Sequence, residues 1–250
     1  MQSKAKTKKA PKKQQPEPPK IIYDEFAPVE EQHNIIFKPN VGPQTDFLAA
    51  SEREVLYGGS AGGGKSYAML ADPLRFMGHP AFSGLLLRHT TEELRELIFK
   101  SQEMYPKIWP GIKWSERKMQ WTAPSGARLW MSYLDKEDDV LRYQGLAFSW
   151  IGFDELTQWP SPFAWNYMRS RLRSTAKDLP VYMRATTNPG GRGHHWVKKM
   201  FIDPAAYGVS FDATDIETTE VLRYPAGHEK AGKALFKRKF IPARLRDNPY

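Results

Sequence analysis

The sequence predicts an α/β fold: a mostly parallel central sheet flanked by helices, with an inserted β-hairpin. Three observations carry the prediction. Short apolar runs that end in turn or polar residues alternate with stretches of helical character. A glycine-rich loop, Gly59–Ser66, joins the first of these runs to the helix that follows it. Between Trp114 and Tyr133 apolar residues alternate around Pro124-Ser125-Gly126, the pattern of a hairpin.

The elements follow in order. Residues 21–50 form a lead-in with turn signals at 37–44 and one short capped helix at 45–50. Arg53–Tyr57 is a first strand, and Lys65–Ala71 a helix. Gly84–Arg88 is a second buried strand, and a helix opens at Thr91, which is a suitable cap. Phe148–Phe153 is a third strand, ending at Asp154-Glu155. Val181–Thr187 is a fourth, closed by Asn188-Pro189-Gly190-Gly191.

Composition limits the function classes. The chain has 250 residues, 40% hydrophobic and 26% charged, which excludes wholesale disorder. It has no cysteine, so disulfides, cysteine zinc sites, iron–sulfur clusters and cysteine nucleophiles are excluded. No apolar run approaches the roughly 18 residues of a membrane helix, and a soluble intracellular protein is expected. The net charge is +9, but residues 1–20 hold seven lysines and one glutamate, +6 of that total. They read as a disordered basic tail, either a solubilising end or a contact for a polyanion. Residues 21–250 are then the folded unit.

Gly59-Ser60-Ala61-Gly62-Gly63-Gly64-Lys65-Ser66 fits G-x-x-x-x-G-K-[ST]. The glycines let successive backbone N–H groups turn toward phosphate oxygens, and the following helix offers its positive end. Lys65 reaches the β- and γ-phosphates of a triphosphate, and the Ser66 hydroxyl suits Mg²⁺. A chance match in a chain of this length is on the order of one per cent, so the loop is read as a nucleotide site. Asp154, at the end of a buried strand, is the second metal-holding group, and Glu155 is the natural base for an attacking water. Taken alone, the acid pair is equally a helix start. Thr186, Thr187 and Asn188 lie at the carboxyl edge of the sheet, where ligands bind; Asn188–Gly191 is also good turn chemistry. Gln44, in a Pro-Gln-Thr-Asp setting, is either an adenine reader or a surface residue.

Together these stretches, with Tyr143-Gln144-Gly145-Leu146 and Phe240-Ile241-Pro242-Ala243-Arg244, resemble the ATPase domain of the large terminase subunit of tailed bacteriophages, from about residue 35 to 250. The resemblance implies a P-loop NTPase fold of the additional-strand, catalytic-glutamate type. It implies an ATP- and Mg²⁺-dependent motor that moves double-stranded viral DNA into a procapsid in the host cytoplasm. Portal protein, small terminase subunit and a homo-oligomeric ring are the implied partners. By the same resemblance Gln44 reads adenine, and Thr186, Thr187 and Asn188 form the coupling motif. Arg142, twelve residues before Asp154, is the candidate arginine finger, with Arg88 as the alternative for nucleotide or DNA contact. A nuclease half is expected beyond Tyr250, so no nuclease activity is expected of these residues. Asp212, Asp215 and Glu217 read as a solvated segment.

Arg169-Ser170-Arg171-Leu172-Arg173 and Lys237-Arg238-Lys239 with Arg244 and Arg246 are basic clusters suited to gripping DNA phosphates, or ordinary solvated faces. His194-His195 reads as a loop touching DNA or nucleotide rather than a metal site. Two competing readings are a helicase-like translocase, which needs a second motor domain, and a non-hydrolytic switch, which gives Glu155 no task. A small-molecule kinase lacks a visible acceptor site.

Overall fold

The structure, a computed structural model, describes residues 35–60, 62–244 and 247. The basic tail, the start of the folded unit at residue 21, Ala61 and Arg246 therefore lie outside the described residues. In chain order the elements are α1 (Pro43–Ala49), β1 (Glu54–Gly59), α2 (Lys65–Ala71), β2 (Ser83–Arg88), α3 (Thr91–Ile108), β3 (Lys113–Ser115), β4 (Gln120–Thr122) and β5 (Arg128–Tyr133). There follow β6 (Trp150–Phe153), α4 (Phe163–Arg169), β7 (Tyr182–Thr187), α5 (His194–Val197), β8 (Ser210–Asp212) and β9 (Lys237–Ala243).

Among the described residues nine strands form one sheet, in the order β3-β4-β5-β2-β6-β7-β1-β9-β8. The six strands from β5 to β9 in that order run parallel; β3, β4 and β8 add antiparallel edges. Parallel strands are covered on both faces and so read as unbroken apolar runs. Side chains alternate between the faces: Val55 and Tyr57 join one core layer and Leu56 the other, and Leu86 opposes Leu85 and Leu87 in the same way. The first layer is closed by α2 and α3, the second by α4 and α5.

The inserted hairpin is β4–β5, with β3 added outside it. Its Trp121 indole donates to Ser101 Oγ of α3 at 3.0 Å, which fixes the hairpin to the helix. The buried residues of α3, Leu94, Leu97, Ile98, Ser101, Met104, Tyr105 and Ile108, keep helical spacing throughout. Its cap is Thr90, not Thr91: the Thr90 hydroxyl accepts from Glu93 N at 3.3 Å.

Two further expectations are corrected. The cluster Lys237-Arg238-Lys239 is the start of β9, which pairs with β1 from Arg238 to Ala243; Lys237 stays exposed, but the central arginine turns inward. Arg238 is 1% exposed, and its guanidinium donates to Glu54 Oε2 at 2.8 Å and to Thr214 O at 2.7 Å. Arg169, from the other basic cluster, also binds the Glu54 carboxylate. Both arginines are thus committed to a buried carboxylate and not to DNA phosphates. Burial alone would raise the Glu54 carboxyl, but the charges and hydrogen bonds of Arg169 and Arg238 outweigh it and hold the group below its ordinary value. His194 and His195 open a short helix rather than a loop.

Candidate active site

The carboxyl ends of β1, β2, β6, β7 and β9 meet along one edge of the sheet. That edge is where open α/β sheets bind ligands, because loops and helix N-termini converge there. β1 delivers the glycine-rich loop. Gly62 and Gly64 hold φ of 84° and 69°, values that let the chain reverse into α2. The loop is fixed at both ends. At its start Ser60 N donates to Ala243 O at 3.0 Å, and a Cβ on Gly59 would lie 1.8 Å from that same oxygen. At its end Gln44 Nε2 donates to Gly64 O at 2.8 Å, while Gln44 Oε1 accepts from Asn40 N at 2.6 Å. Both ends of the Gln44 amide are therefore engaged with backbone. It braces the loop, lines none of the three clefts at this edge described below, and would have to exchange these bonds to read a base.

A cleft of about 290 Å³ opens over the loop, lined by Gly62–Tyr67, Lys100, Glu155 and Asn188. Lys65 is folded back, its ammonium donating to Ser60 O at 2.6 Å and Gly59 O at 3.4 Å. Burial lowers its pKa, offset in part by the charges of Glu155 and Asp154. An arriving phosphate would replace two neutral carbonyls with a charged acceptor, so the exchange is downhill for the ammonium.

The acid pair has two different environments. Asp154 is 1% exposed; it accepts from the Thr186 hydroxyl and faces Arg88 Nε at 3.1 Å. Glu155 adopts φ 62° and ψ 55°, the left-handed region, which costs a side-chain-bearing residue about 1–3 kcal/mol. Glu155 N donates to Thr186 Oγ1 at 3.1 Å. The carboxylate is held at two points by one residue: Asn188 Nδ2 donates to Oε1 at 2.6 Å and Asn188 N to Oε2 at 3.0 Å. Burial first, then the Asp154 charge, pushes the Glu155 carboxyl above its ordinary value; Arg88, the Asn188 N–H and Lys65 oppose them. A half-buried carboxylate with a raised pKa, facing the loop cleft, can act as a proton acceptor.

Replacing Asn188 by Ala removes one donor to the charged form. The acid limb of any Glu155-dependent rate is therefore expected to move to higher pH, read from a pH–rate profile. An unmoved limb would separate Asn188 from the base. Thr157, which sequence reasoning missed, ties the two loops together: Thr187 Oγ1 donates to Thr157 Oγ1 at 2.9 Å, and Gly193 N donates to Thr157 O at 2.8 Å. Nothing in its local sequence marks it, because both partners come from the neighbouring strand and its loop.

The described site residues are thus brought together at one edge, except Arg142. It lies on the 3₁₀ segment Glu137–Tyr143, donates to Tyr133 O and Asp139 O, and sits over the Tyr133 and Tyr143 rings. Among the described residues it is absent from the lining of the cleft over the loop and of the two clefts beside it. Among the described residues no group of three His, Cys, Asp or Glu could hold a metal alone. Magnesium does not need one: it keeps several waters and takes one or two protein ligands beside substrate phosphates. The donors fit it, since the Ser66 hydroxyl lines the loop cleft and Asp154 Oδ2 is a buried oxygen with no hydrogen-bond partner.

A family model described as terminase large subunit, T4likevirus-type, N-terminal, matches residues 56–225. The chain belongs to this family. Among solved structures, the large terminase of a thermophilic bacteriophage is similar to the present chain with a TM-score of 0.58 and 16% identity, over 84% of this chain and 47% of that one. The ATPase domain of the Thermus phage P74-26 large terminase is similar with a TM-score of 0.54 and 11% identity, over 86% and 85% of the two chains. The large terminase of the thermophilic bacteriophage has also been solved in complex with ADP, and that structure matches with a TM-score of 0.51 and 17% identity over 84% and 46%. The present chain thus matches about half the length of that full terminase. No curated protein matches it. The fold is that of the P-loop NTPases, a mixed sheet with flanking helices, as the sequence predicted.

Proposed function

We propose that residues 21–250 form the ATP-hydrolysing motor unit of a phage DNA-packaging machine. The observation that carries this reading is the Glu155 carboxylate, clasped by Asn188 and facing the phosphate loop across one cleft. A nucleotide switch without hydrolysis has no use for a half-buried, left-handed glutamate with a raised pKa. The ADP complex of the thermophilic phage's terminase supports nucleotide binding at the corresponding fold.

In this reading the loop N–H groups and α2 hold the phosphates. Lys65 leaves its carbonyls for the β- and γ-oxygens. Magnesium, when bound, neutralises phosphate charge, and Ser66 and Asp154 are the residues that would hold it. Glu155 takes the proton of the attacking water. Loss of the γ-phosphate is felt by Asn188, which bonds Glu155 on one side and, through Thr187 and Thr157, the loops that cross the sheet edge. Arg142, outside its own clefts, acts on the nucleotide of a neighbouring copy in a ring. Double-stranded viral DNA, the portal and the small terminase subunit are the partners, in the host cytoplasm.

The test is ATP hydrolysis measured against protein concentration, with and without DNA. Turnover per chain is expected to rise with concentration and to fall about 10²–10³-fold in Lys65→Ala at every concentration. Full turnover in Lys65→Ala would end the reading.

A further inference from the structure

Arg88 closes β2 and lies beside the acid expected to hold the metal. Both oxygens of Asp154 are committed, Oδ1 to the Thr186 hydroxyl and Oδ2 to Arg88 Nε at 3.1 Å. The two contacts differ in kind. The first is a directed hydrogen bond. The second is an ion pair without hydrogen-bond geometry: Asp154 Oδ2 and Arg88 Nε are both buried and both lack a hydrogen-bond partner. A buried carboxylate needs a positive charge nearby, and here the charge is present but badly aimed. A cation held by attraction alone can be replaced by another without breaking a directed bond.

The same cleft contains a second acid. Arg88 and Glu93 line one cavity of about 250 Å³, together with Glu155 and Asn188. Glu93 stands on the first turn of α3, fixed there by the Thr90 cap, and its Oε2 is buried without a hydrogen-bond partner. Its neighbour one turn on, Glu96, already has a partner in Lys100 at 2.6 Å. A buried carboxylate oxygen with nothing to accept from, lining the same cavity as a guanidinium with an unused N–H, is a prepared acceptor.

We propose that Arg88 is a placeholder for magnesium: without nucleotide it neutralises Asp154, and it moves to Glu93 when the hydrated ion takes its place. The proposal rests on the magnesium–ATP reading of the site. It makes Arg88 a positioning residue that opposes metal loading, not a nucleotide ligand. The charge balance supports this. Asp154, Glu155 and Arg88 sum to one negative charge before loading. Adding the ion without moving Arg88 would press two cations onto one buried carboxylate, whereas transfer to Glu93 gives each its own acid.

The test is calorimetric binding of a non-hydrolysable ATP analogue to the whole chain, with magnesium titrated at fixed analogue and again in EDTA. Arg88→Met is expected to lower the magnesium concentration at half-maximal binding by about tenfold, with affinity in EDTA unchanged. Glu93→Gln is expected to raise that concentration severalfold, because the released guanidinium then has no acid to receive it. It also keeps the test open if Arg88→Met does not fold. An unmoved magnesium midpoint in either folded variant overturns the proposal. So does weaker analogue binding by Arg88→Met in EDTA, which would make Arg88 a nucleotide contact. Failure of the wild-type chain to bind the analogue at any magnesium concentration would instead overturn the proposed function.

Discussion

Replacing Glu155 by Gln is expected to cut ATP turnover by about 10²–10⁴-fold while nucleotide still binds. The amide keeps the size of the carboxylate but cannot accept the water's proton. It also loosens the clasp, since Asn188 donates to both oxygens and one of them becomes an NH₂ group. Rapid-mix hydrolysis and equilibrium binding of the same preparation measure the two halves of the expectation. Turnover at the wild-type rate would show that the base lies elsewhere. Stability gives an independent check. Burial and Asp154 raise the Glu155 pKa in the fold, so its contribution is fully present below the unfolded-state value and is lost as pH rises through the folded one. The stability difference should therefore move in favour of Glu155→Gln as pH rises from the ordinary carboxylate range toward neutrality.

Glu54→Ala is expected to destabilise the fold by about 3–5 kcal/mol, a large share of the roughly 5–15 kcal/mol of an ordinary domain. Glu54 is 0% exposed and ties three elements: β1 through its own backbone, α4 through Arg169 and β9 through Arg238. Trp165 Nε1 adds a longer contact to Oε2 at 3.4 Å. Removing the carboxylate leaves the Arg238 charge buried without its partner. Removing both, as Glu54→Leu with Arg238→Met, should recover most of the loss, because apolar pairs often replace buried ion pairs without penalty. Urea unfolding of the three chains measures this. A single variant as stable as the wild type would show that the cluster is not holding the sheet. The pH sign is opposite to that of Glu155. The Glu54 pKa is depressed, so its contribution is present above the unfolded-state value and lost as pH falls through the folded one.

Much of this architecture was legible because its signals are local. Apolar runs bounded by turns placed β1, β2, β6 and β7, and the glycine spacing placed the phosphate loop. What escaped depends on partners distant in sequence. β9 hid behind three basic residues and Pro242, since the burial of Arg238 is set by a glutamate at the far end of the chain. The left-handed backbone of Glu155 is not written in the acid pair; it follows from Thr186 and Asn188 seizing the residue from the next strand. The bond from the Gln44 amide to the Gly64 carbonyl, twenty residues on, was likewise not legible locally. The Arg88–Asp154 contact was equally invisible, because both are strand-terminal residues whose adjacency is a matter of sheet order.

The glycine-rich loop is sewn down at one end by Ala243 and at the other by Gln44, near the opposite limits of the described chain. Contacts so far apart along the polypeptide form late, since the intervening chain must first be ordered. A nascent copy still lacking β9 on the ribosome thus has every residue of the G-x-x-x-x-G-K-S signature and no finished cradle. On the proposed reading, uptake of nucleotide then waits on the docking of β9 against β1.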